Sequence, residues 1–160
     1  MTDYYKTKFE QGLEYQDFVC DQLRIREGWF VGCYSSRKYQ QEKGESVCGL
    51  EIKYDMRLSE TGNVYIEVAE KSRPELPEYT ASGVFRKDNT WLYLIGDYHQ
   101  AFVFGKTLMR NLYLNKDQKK AWGCVDRQTP TSKGFTIPIR SAIRGMALKH
   151  FIFDKEEKHE

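Results

Sequence analysis

The chain has 160 residues, of which 30% are charged and 14% aromatic, and its formal net charge is +2. That length fits one domain burying roughly two-thirds of its unfolded surface. No run nears the roughly 20 apolar residues of a membrane span, and Met1-Thr-Asp-Tyr-Tyr-Lys6 has no apolar signal region, so a soluble cytoplasmic protein is expected.

In chain order, Phe9, Leu13, Gln16, Val19, Cys20 and Leu23 recur at spacings of three and four. They predict a helix from Tyr5 to Arg26, capped by Thr2 or Asp3 and closed by Gly28. Glu10, Glu14, Asp17 and Asp21 border this stripe. Trp29–Tyr34 reads as a strand and Ser35–Ser46 as a long polar loop. Cys48–Leu58 alternates strictly, with Leu50, Ile52, Tyr54, Met56 and Leu58 on one side and Glu51, Lys53, Asp55 and Arg57 on the other. Asn63–Lys71 sets Val64, Ile66 and Val68 against Tyr65, Glu67, Ala69 and Lys71. Ser59-Glu-Thr-Gly-Asn63 between them predicts a hairpin with a three-residue loop ending in Gly62.

The proline-broken stretch 72–78 is a connection. Ala81–Phe85 reads as a short strand, Asp88–Thr90 as a turn, and Trp91–Ile95 and Ala101–Phe104 as strands. A helix is expected from Lys106 to Asn115 with Leu108, Leu112 and Leu114 inward. Gln118–Gly134 reads as a basic loop, Phe135–Ile139 as an edge strand because of Pro138, and Arg140–His150 as a final helix. The expected fold is α/β: one domain, residues 1–153, with a mixed β-sheet flanked by helices, and a frayed tail, 154–160.

The hairpin register would set Asp55 opposite Glu67 and Lys53 opposite Ala69. Facing carboxylates repel unless a proton or cation lies between them, and oxygen ligands suit Mg²⁺ or Mn²⁺. The alternative is an ordinary solvated charged face. Four cysteines without a C-x-x-C pair and three dispersed histidines argue against zinc and against a disulfide framework. Charge is uneven: residues 106–149 carry ten Lys and Arg against two acids, whereas residues 1–105 carry 13 against 17. A basic segment beside an acidic region fits phosphate tracking next to a cation site, and a solvated basic face is its alternative.

The helix acid in Gly12-Leu-Glu-Tyr-Gln-Asp-Phe18, Asp55, and Glu67-Val-Ala69 together resemble the PD-(D/E)XK nuclease superfamily across residues 5–105. The resemblance implies a restriction-endonuclease-like fold and a Mg²⁺-dependent endonuclease, a hydrolase acting on nucleic acid, DNA in the first instance, with a homodimer for double-strand cleavage. It implies Glu14, Asp55 and Glu67 as metal ligands, with Glu51 as an additional or substitute ligand. Ala69 stands where the family has lysine, and Lys53 or Lys71 would replace it. Arg110, Lys119, Lys120, Arg127, Lys133, Arg140 and Arg144 would contact phosphates on the cleft rim. Two other readings stay open: a catalytically inactive nucleic-acid-binding relative, and a structural or assembly domain that binds protein through its Tyr- and Phe-rich surface.

Overall fold

The 3.6-residue pattern of the first segment is realised as helix α1, Asp3–Glu27, in a computed structural model that describes residues 3–153, with side chains from Thr7 onward. The tail 154–160 and the cap candidate Thr2 lie outside the described residues. Tyr15, Val19 and Leu23 pack against Leu50, Ile52, Leu94, Ala101, Val103, Phe151 and Phe153. Phe9 and Leu13, expected on that face, are exposed because their end of α1 extends over a cavity instead of the sheet. Gly28 closes the helix with φ +67.

Two four-stranded sheets follow. The first contains β1 (Leu50–Tyr54), β4 (Leu92–Gly96), β5 (Gln100–Gly105) and β8 (Lys149–Ile152), in the spatial order β1-β4-β5-β8. It is mixed, because β1 runs parallel to β4 and the other pairs are antiparallel. The second is antiparallel, in the order β3-β2-β7-β6, from β2 (Asn63–Glu70), β3 (Thr80–Ala81), β6 (Val125–Gln128) and β7 (Ser132–Pro138). Period-2 alternation builds a three-layer stack. Leu94, Ala101 and Val103 face α1, while Tyr93, Ile95, Phe102 and Phe104 face Val64, Ile66, Val68, Phe135 and Ile137 of the second sheet. Met109 and Leu112 of helix α4 (Lys106–Leu114) join this inter-sheet core. The fold is α/β with two sheets where one was expected.

The expected hairpin does not form. β1 pairs with β4 from Leu50↔Leu92 to Tyr54↔Gly96, and β2 pairs with β7, with Glu67 opposite Gly134 and Ala69 opposite Lys133. Residues between β1 and β2 make a helical turn, α3 (Leu58–Thr61). Gly62 ends it in the left-handed region at φ +64, where a β-carbon is disfavoured. The glycine therefore has the expected positive φ but terminates a helix. Leu58, fully buried in the inter-sheet core, draws the chain out of one sheet and into the other. The register placing Asp55 opposite Glu67 and Lys53 opposite Ala69 is thereby corrected.

Other elements also shift. Trp29–Tyr34 contributes only the single bridge Cys33↔Ser46. The polar stretch after it holds helix α2 (Arg37–Lys43), capped by the Ser36 side chain. In place of a strand at 81–85, β3 ends at Ala81 and a 3₁₀ turn spans Gly83–Phe85. Leu108 and Leu114 face outward on α4, and Met109 takes the inward place. The expected basic loop holds helix α5 (Lys116–Ala121) and strand β6. β7 is an interior strand, and its proline is tolerated because it is the last residue. The last expected helix shortens to turns at Ile139–Ser141 and Ala142–Met146, broken at Gly145 before β8.

Candidate functional site

A cavity of about 550 Å³ opens where the end of β1, one edge of β2, the first half of α1 and the Gly83 turn meet. Lys53, Asp55, Glu67, Glu45, Gln16 and Tyr65 line it, with Phe9 and Leu13 forming part of an apolar wall. β3 pairs with β2 only at Ala69 and Glu70, which leaves the earlier part of that edge open to the cavity.

Lys53 occupies the acidic centre. Its Nζ lies 2.6 Å from Glu51 Oε1, with the Glu51 side chain 4% exposed and the lysine's 49%. Thr90 donates to the other Glu51 oxygen at 3.1 Å. Desolvation disfavours the lysine's charge, but Glu51, Glu45 and Glu67 outweigh it and hold its pKa above the ordinary lysine value. Lys53 is therefore an ammonium at neutral pH and is suited to donating hydrogen bonds.

Two other carboxylates satisfy strand edges. Glu45 Oε2 accepts from Ile52 N at 2.7 Å on the outer side of β1, and its Oε1 accepts from Gln16 Nε2 at 2.8 Å. Burial pushes its pKa up to about 7; Glu51 adds to the rise, and Lys53 and the Ile52 N–H oppose it. Asp55 follows β1 directly. Its Oδ2 accepts from Tyr65 N and its Oδ1 from Arg57 N, both at 3.1 Å. Burial raises its pKa, against the pull of those two N–H groups. Asp55 is thus the link between the two sheets at the cavity.

Glu67 is held by hydroxyls: Ser82 Oγ donates to Oε1 at 2.6 Å and Ser132 Oγ to Oε2 at 3.1 Å. Gly83 makes this approach possible. A β-carbon there would lie 2.2 Å from the Glu67 carbonyl oxygen, and its φ of +49 is itself unfavourable for other residues. Glu67 lies off the apolar face of β2, which belongs to Val64, Ile66 and Val68.

The sequence-derived candidates divide into three groups. Lys53, Asp55 and Glu67 share the cavity, although two sheets supply them. Glu51 is one contact behind, through Lys53. Glu14 is exposed, near Tyr98, and is not among the lining residues; Gln16, two positions on, is. Lys71 lies over the Tyr79 ring at 4.4 Å. None of the seven basic candidates lines the cavity. Arg110 donates to the carbonyls of Val84 and Arg86, and buried Lys119 pairs with Asp126 at 2.6 Å, so both are engaged within the fold. Arg144 lies over Trp122, and Lys120, Arg127 and Arg140 are exposed. Lys133 stands opposite Ala69.

Sequence reasoning missed Glu45, which lies in a stretch with no periodicity to orient it. Gln16 did carry a signal, as a polar residue on the buried stripe of α1.

No protein-family model, no curated protein and no solved structure matches the chain. Among the described residues, no three His, Cys, Asp or Glu side chains are grouped closely enough to hold a metal by themselves, and no helix is long and apolar enough to cross a membrane. The cavity's donor set is all oxygen. Mg²⁺ commonly takes one or two carboxylates and completes its shell with water and substrate phosphate. Asp55 and Glu67 are two such carboxylates lining the cavity, and each of their four oxygens already accepts a hydrogen bond.

Proposed function

We propose that this cavity is the centre of a metal-dependent phosphodiesterase acting on nucleic acid, DNA in the first instance. The observation that carries the reading is that Lys53, Asp55 and Glu67 reach one cavity from separate sheets. Kinship with restriction-endonuclease-like proteins is part of the proposal. Its support is chain order alone, α1, then β1 leading to Asp55, then β2 with Glu67, because β1 and β2 lie in different sheets. A homodimer would set two such centres against a duplex.

Asp55 and Glu67 would hold Mg²⁺, which when bound acidifies water and offsets charge on a phosphate. The chain's own residues have separable tasks. Tyr65 N and Arg57 N fix the Asp55 carboxylate, and Ser82 and Ser132 fix that of Glu67, so neither must reorganise during reaction. Lys53, held protonated by its glutamates, orients water or a phosphate oxygen and stabilises developing negative charge. Phe9 and Leu13 reduce water access on one wall.

The test is cleavage of supercoiled plasmid and of single-stranded oligonucleotide in Mg²⁺, in Mn²⁺ and in EDTA. Activity is expected in either metal and is expected to fall at least 100-fold in Asp55→Asn and Glu67→Gln. An inert parent protein in both metals, or an Asp55→Asn variant that cleaves normally, overturns the reading. The inactive nucleic-acid-binding reading has its own support, since all four oxygens of Asp55 and Glu67 already accept hydrogen bonds and Ala69 replaces a lysine. It predicts oligonucleotide binding without cleavage.

A further inference from the structure

Beyond the cavity, the end of β2 holds a second cluster with no assigned task. Lys71 Nζ lies 4.4 Å and Lys133 Nζ 4.2 Å from the centroid of one ring, that of Tyr79. The two ammonium groups are therefore within about a Debye length of each other at physiological ionic strength. All three side chains are half-buried. The ring is fixed at its far end, where Tyr79 Oη donates to the Thr129 carbonyl at 2.5 Å, and the Lys71 N–H donates to the Thr131 carbonyl at 2.7 Å. Neither lysine has a carboxylate partner among the described residues.

Two like charges on one aromatic ring repel, and a single ring quadrupole offsets only part of that. An anion bound beside the lysines relieves the repulsion. Lys133 lies opposite Ala69, across a bulge in β2 from the Glu67↔Gly134 pair. Its neighbour Ser132 donates to Glu67 and lies 2.6 Å from Tyr65 Oη, and both Tyr65 and Glu67 line the cavity.

We propose that Lys71 and Lys133, held on Tyr79, form a phosphate grip for the nucleic-acid strand that the cavity receives. This deepens the phosphodiesterase reading and rests on it only for the identity of the strand. The grip places Lys71 in substrate positioning, outside the catalytic group.

The experiment measures binding of fluorescein-labelled oligothymidine in EDTA across a series of NaCl concentrations, with polyglutamate as a competing polyanion. Lys71→Gln/Lys133→Gln is expected to weaken binding about tenfold and to make the slope of log K against log salt shallower by about 1.4, two contacts at about 0.7 each. Lys71→Arg/Lys133→Arg should restore both, which a loss of folding would not allow. Unchanged affinity and slope, no oligothymidine binding by the parent protein, or equal competition by polyglutamate overturns the grip. Plasmid cleavage is scored separately in Mg²⁺. If cleavage occurs and the salt slope ignores the lysines, only the grip fails; if the lysines set the slope and nothing is cleaved, only the phosphodiesterase reading fails.

Discussion

Replacing Lys53 with methionine tests whether the cavity is held together by charge. The substitution keeps the unbranched stem and removes the ammonium that lies 2.6 Å from Glu51. Glu51 keeps its Thr90 hydrogen bond but becomes a buried carboxylate without a counter-charge. Breaking a fully buried pair costs about 3–5 kcal/mol. The lysine side chain is 49% exposed, so solvent screens part of this, and a loss of about 2 kcal/mol is expected. In a chain this size that lowers the thermal midpoint by about 4–8 °C. Because the fold raises the lysine's pKa, its stabilisation is fully present below the ordinary value of 10.5 and is lost as pH rises above it through the folded-state value. The assay is urea unfolding at pH 8 of the parent, Lys53→Met, Glu51→Gln and the double variant. Lys53→Met should be clearly destabilised, and the double variant should recover most of the loss, giving a coupling of about 1–2 kcal/mol. Strictly additive effects would show that the pair does not organise the site.

Glu45 supplies a pH prediction of definite sign. Burial raises its pKa from 4.5 to about 7, so the folded state holds a proton that the unfolded state releases. Stability from this group is full below about pH 4.5 and declines as pH rises to about 7, by about 3 kcal/mol at most. Glu45→Gln should flatten that part of the unfolding pH profile, and an unchanged slope between pH 5 and 7 would refute the assignment. Gly83→Ala should destabilise by about 2 kcal/mol or more, because its β-carbon meets the Glu67 backbone. A variant of normal stability, measured by thermal unfolding, would mean that the close approach is not required.

How much was legible in the sequence varies by element. Alternation placed Val64, Ile66 and Val68 inward and Glu67 off the core, and helical spacing located α1, because both depend only on local geometry and apolar periodicity. The same periodicity put Lys53 and Asp55 on one side of β1. Local pattern could not tell which strand pairs with which. The sequence 59–63 suits a tight turn, but burial of Leu58 between the sheets turns it into a helix and sends β2 into another sheet. The site therefore assembles by a route that the hairpin register does not describe. Ala69 faces Lys133 and Asp55 reaches the edge of β2 through the Tyr65 N–H. Glu45 enters from a stretch with no periodic signal because the open edge of β1 needs an acceptor. The basic run was visible as composition, but only packing shows that Arg110 and Lys119 are bound within the fold while Lys71 and Lys133 meet on one ring. Residue type and period set which side chains can share a face; long-range burial and the hydrogen bonds of unpaired strand edges decide which faces meet.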